Sequence, residues 1–110
     1  MLAIDQNNNI KLTRGDTMTL TVNLTKDNEP YIPDQNDVIR FAVSKGYKGD
    51  IGYKLKFTKV IPNDTLTFTC ESRETDLAYG TYNYDIEITH TDGAVDTFIS
   101  AKLTITGEVE

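Results

Sequence analysis

The chain has 110 residues, a formal net charge of -6 and a pI near 4.7. That is the length of one domain, and we read residues 1–110 as a single unit. An acidic chain gains nothing by displacing counterions from a phosphate backbone, so nucleic acid is excluded as the default partner. A lone cysteine, Cys70, excludes a disulfide framework, and no apolar window has the length of a membrane span.

The elements in chain order follow a period of two, the signature of half-buried strands. A short strand at residues 10–12 comes first. Residues 17–24, "TMTLTVNL", set Met18, Leu20, Val22 and Leu24 against a row of threonines. Ile39, Phe41 and Val43 form the next inner face. "IGYKLKFT" predicts a strand over 51–58 with Ile51, Tyr53, Leu55 and Phe57 inward. "TLTFTC" places Leu66, Phe68 and Cys70 inward. "TYNYDIEIT" does the same for Tyr82, Tyr84, Ile86 and Ile88. In the last run Val95, Ile99, Ala101, Leu103 and Ile105 face in, and Phe98 is the misfit.

Turn chemistry separates these runs. "KDNEP", "KGYKGD", "IPND" and "TDG" carry the residues that bend a chain, with Gly93 supplying positive φ in the last hairpin. "SRETDLAY" is the one stretch with room for a helix, of about two turns. About seven strands without crossover helices predict an all-β fold, an antiparallel sandwich. "DLAYGTYNY" narrows this to an immunoglobulin-like sandwich. There a tyrosine near the start of the sixth strand bonds back to the preceding corner. Asp76 and Gly80 build the corner, Tyr82 is its tyrosine, and Tyr84 stands where a disulfide cysteine would otherwise be.

Residues able to carry chemistry are sparse. His90, the one histidine, is expected to be an exposed residue near a hairpin tip, and Cys70 a small core hydrophobe. The carboxylates of "PDQND" and those of Asp92 and Asp96 match no calcium-loop spacing and read as solvated loops. No catalytic residue, metal or cofactor is expected. The threonine rows of "TMTLT" and "TLTFT" predict adjoining outward faces with cross-strand threonine pairs. Charge is unevenly placed: five lysines between 45 and 59 oppose only Asp50, giving +4 and leaving -10 elsewhere. Lys45, Lys48, Lys54 and Lys56, with Tyr47, form a candidate interaction surface for an acidic neighbour or a second copy. The competing reading is that these lysines guard an exposed sheet edge.

"IKLTRGDTMTLTVNL", "DLAYGTYNYDIEITHTDGAVDT" and "LTITGEV" together resemble the immunoglobulin-like domain of tail proteins in phages and prophages of Gram-positive bacteria, similar to the N-terminal domain of the baseplate upper protein. The resemblance covers the first two and last two strands. It implies a non-enzymatic structural module of the virion tail or baseplate, made in the bacterial cytoplasm without a signal peptide. Its partners would be neighbouring tail subunits, with no membrane or nucleic acid. The alternative function is a carbohydrate- or host-surface-binding module, which predicts a concave patch lined by aromatic rings. Within "TRGDTM", Gly15 and Asp16 read as a strand-joining turn rather than an adhesion tripeptide.

Overall fold

The computed structural model describes residues 2–107. Among them there are ten strand segments and no helix: β1 (Leu2–Ile4), β2 (Ile10–Thr13), β3 (Met18–Thr21), β4 (Thr25–Lys26), β5 (Glu29–Pro30), β6 (Val38–Lys45), β7 (Lys54–Ile61), β8 (Thr67–Cys70), β9 (Gly80–Thr89) and β10 (Val95–Thr106). One sheet runs β1-β2-β10-β9-β6-β7; β3 and β8 pair separately, and β4–β5 is a small hairpin. The seven expected strands are all present, with β1, β4 and β5 added. Facing layers of this order make an all-β sandwich of immunoglobulin-like layout, with β3–β8 opposite the large sheet. All pairings are antiparallel except β2 with β10, which is parallel.

The core is the set of inward positions that the alternation picks out. Phe41 is fully buried at its centre. Its ring lies 4.9 Å from Phe68 across the layers and 5.3 Å from Tyr84 within the large sheet. Leu12, Met18, Ile39, Val43, Ile61, Cys70, Ile88, Leu103 and Ile105 are also fully buried. Each fully buried aliphatic or aromatic side chain stabilises by roughly 1.5–3 kcal/mol, the main source of cohesion in a domain without disulfides.

Two β-bulges explain most departures from the sequence reading. The register of β10 against β9 shifts between Thr97 and Ile99. An extra residue reverses the alternation, so Val95, expected inside, is exposed, while Phe98 is partly buried and stacks on Tyr31 at 4.9 Å. A second shift between Val43 and Ser44 brings Leu55 opposite Ser44 on the outer face. The strand expected over 51–58 instead runs from Lys54 to Ile61; Ile51 and Tyr53, both expected inward, lie in the loop before it, Leu55 is exposed and Ile61 is buried. Leu66 precedes β8 with φ +55°, part-buried rather than in strand. "SRETDLAY" forms turns, not a helix.

The threonine rows meet as expected. Thr19 and Thr69 hydroxyls are 3.0 Å apart and Thr21 and Thr67 2.8 Å apart on the outer side of β3–β8. The corner also forms: Tyr82 Oη donates to the Ala78 carbonyl at 2.7 Å. Tyr84 is buried beside Phe41, and its hydroxyl donates to the Asn8 carbonyl.

Candidate functional site

The turn that carries the RGD tripeptide is held on three sides. Asp16 N–H donates to Thr13 O, Arg14 N–H to Thr106 O and Gly15 N–H to Thr75 O. Gly15 has φ +79°, a conformation costly for residues with a Cβ. The buried Thr75 hydroxyl closes the arrangement by donating to Asp16 O at 2.7 Å. Arg14 Nε donates to the Asp76 carboxylate at 2.7 Å, and its guanidinium lies 5.7 Å from the Tyr79 ring centroid. This turn is a joint between β2, β10 and the tyrosine corner, and its backbone is not free to project.

His90 differs from expectation. It sits at the β9–β10 turn closed by Gly93, but its side chain is only 21% exposed. Nδ1 is 3.1 Å from Asp37 and Nε2 2.9 Å from Asp96. Hydrogen bonds first to Asp96 and then to Asp37 raise its pKa above the ordinary value. Asp37, nearly buried, also accepts from Asp34 N–H, so the "PDQND" cluster is a structural clasp. Both ring nitrogens face carboxylates, which leaves neither to take a proton from a nucleophile. Among the described residues no group of three His, Cys, Asp or Glu could hold a metal ion. Burial pushes the Cys70 thiol up to about 11.

The basic segment divides. Lys45 ends β6 and turns back, donating to Thr81 O at 2.8 Å with its Nζ 4.2 Å from the Tyr82 ring centroid. Lys59 crosses to Glu74 at 3.0 Å. Lys48, Lys54 and Lys56 remain exposed on and beside β7, the edge of the large sheet. Leu55 and Val60 of the same strand are 50% and 65% exposed, so this edge offers apolar surface between its lysines.

The loop after β6 folds over the outer face of the large sheet. Asn83 Nδ2 and Ser44 Oγ donate to Gly46 O, Tyr53 N–H donates to Asp50 O, and Lys102 Nζ donates to the Tyr47 hydroxyl. Loop and sheet enclose a depression of about 200 Å³. Tyr47, Tyr53 and Leu55 form its apolar rim; Arg40, Asn83, Asp85 and Glu87 line its polar side. Arg40 reaches Glu87 at 4.0 Å. Asp85 has no hydrogen-bond or ion-pair partner among the described residues, and burial followed by the charge of Glu87 raises its pKa. Sequence reasoning identified Tyr47, placed Tyr53 on an inner face where the structure instead has it lining this outer depression, and missed Arg40, Asp85 and Glu87. Asp85 and Glu87 share one face of β9, and the β9-β6 pairing brings Arg40 of β6 opposite Glu87.

No family model matches this chain, and no curated protein matches it. Among solved structures it is similar to the extracellular domain of a protein described as a one component system of B. thetaiotaomicron, at 18% identity and a TM-score of 0.48. The match covers 93% of this chain and 12% of that one.

Proposed function

We propose that this chain is a non-enzymatic structural module of a phage or prophage tail, acting by docking to neighbouring subunits. The observation that carries the reading is the β7 edge. Lys54 and Lys56 on β7, and Lys48 in the loop before it, lie beside exposed Leu55 and Val60 at the free edge of the sheet, a mixture suited to an acidic protein neighbour with some apolar surface. Lysines alone would serve to discourage edge pairing, but exposed leucine and valine among them work against that purpose. The resemblance to tail domains supplies the class of neighbour. Its sequence blocks also meet in space, since Arg14 of the first block bonds Asp76 of the second.

The test is the composition of particles. Cells carrying the gene are induced or infected, and particles are purified through a density gradient and washed in high salt. The chain is expected in the particles at a fixed ratio to tail subunits. Its abundance in the lysate together with absence from washed particles would overturn the reading.

A further inference from the structure

We infer that the depression on the outer face of the large sheet is a binding site for one sugar unit of a glycan. This goes beyond the assembly reading and does not depend on it, because the site lies within one copy of the chain.

The geometry points to a sugar for three reasons. First, the walls are chemically mixed. Tyr47, Tyr53 and Leu55 supply apolar lining, while Arg40, Lys48, Asp85 and Glu87 supply donors and acceptors. A neutral polyhydroxylated ring uses both kinds at once. A purely apolar or purely charged ligand leaves half of them unpaired. Second, Asp85 has no donor among the described residues. Glu87 has Arg40 within 4.0 Å, whereas the partly buried Asp85 carboxylate beside it has no hydrogen-bond or ion-pair partner among those residues. Adjacent hydroxyls of a sugar supply O–H donors to such a carboxylate, forming charge-assisted bonds stronger than neutral ones. Third, the volume of about 200 Å³ is below the ~300–1,000 Å³ of pockets for drug-sized ligands, which suits a single ring.

The site is also preformed. Gly46 is tied to Asn83 and Ser44, and Tyr47 is fixed by its N–H to Asp50 Oδ2 and by Lys102 at its hydroxyl. Little ordering is then left for the ligand to impose. A wider hollow beside β1 and β2 lacks this character, since its one carboxylate, Asp5, already accepts from the Asn7 and Asn9 amides.

The probes are the methyl glycosides of glucose, galactose, N-acetylglucosamine and rhamnose, titrated into the whole ¹⁵N-labelled chain by NMR. At least one should shift the amides of Arg40, Ser44, Asn83 and Asp85 with a dissociation constant on the order of 1–10 mM, the range for a single small ring. Asp85→Asn and Tyr53→Ala should each weaken that binding at least about fivefold. Lys26→Gln, at the β4–β5 hairpin, should not change it. Preserved spectral dispersion shows that each variant is folded. The proposal fails if none of the four sugars shifts these amides, if the shifts lie elsewhere, or if Asp85→Asn binds as well as the parent. It also fails if a basic peptide occupies the depression and the sugars do not.

Discussion

Arg14 and Asp76 stand 62 residues apart in sequence and 2.7 Å apart in the fold. Their bond fastens the turn between β2 and β3 to the corner that precedes β9. Both partners are substantially exposed, at 36% and 58%, and exposed pairs contribute little to stability. Arg14→Ala should therefore leave the urea midpoint almost unchanged. Gly15→Ala should lower stability by about 1–2 kcal/mol, because the new side chain must adopt φ +79°. Equal effects from the two substitutions would contradict this division of labour. In a cell-attachment assay Asp16→Glu should behave as the parent, since the turn backbone is pinned to Thr106 and Thr75.

Tyr82 tests the corner. Removing its hydroxyl in Tyr82→Phe leaves the Ala78 carbonyl without its donor and should cost about 1–3 kcal/mol in chemical denaturation. The denaturant slope should stay constant, because the buried surface is the same. An unchanged midpoint would mean that the hydroxyl bond adds nothing to the corner.

His90 makes stability depend on pH in a defined direction. Its folded pKa is raised by Asp96 and Asp37, so the folded state holds the proton more tightly than the unfolded state. The resulting stabilisation is fully present below the unfolded value of about 6.5 and is lost as pH rises through the folded value. Denaturation midpoints from pH 5 to 9 should show a fall over that window, absent in His90→Gln. A His90 proton-NMR titration with its midpoint at or below the unfolded value would contradict the assignment.

Cys70 should be inert. Burial first, and Glu74 second, push its thiol up to about 11, and the side chain is fully enclosed. A disulfide reagent at pH 8 should label it only after denaturation. Rapid labelling of the native chain would show that the β8 end of the core opens.

The sequence made the inner faces of β3, β6, β8 and β9 legible, because their alternation is uninterrupted and one face is buried. It failed at Val95 and Leu55 for one reason: a single bulged residue in each of β10 and β7 reverses the faces, and no residue type announced it. His90 was misread because Asp37 lies 53 residues away and becomes a neighbour only through the β6–β9 pairing. The depression had the same cause. Asp85 and Glu87 are ordinary outward positions of β9 until strand order sets Arg40 of β6 beside them.

The most direct test of the docking account is lysine cross-linking of purified particles followed by mass spectrometry. With a carbodiimide that couples amines to carboxylates, Lys48, Lys54 and Lys56 should form amide cross-links to Asp or Glu of a neighbouring tail subunit, and changing Lys54 and Lys56 together to glutamate should reduce incorporation. Particles that contain the chain at full ratio with both lysines reversed, and with cross-links to neighbours only from other lysines, would contradict docking through this edge.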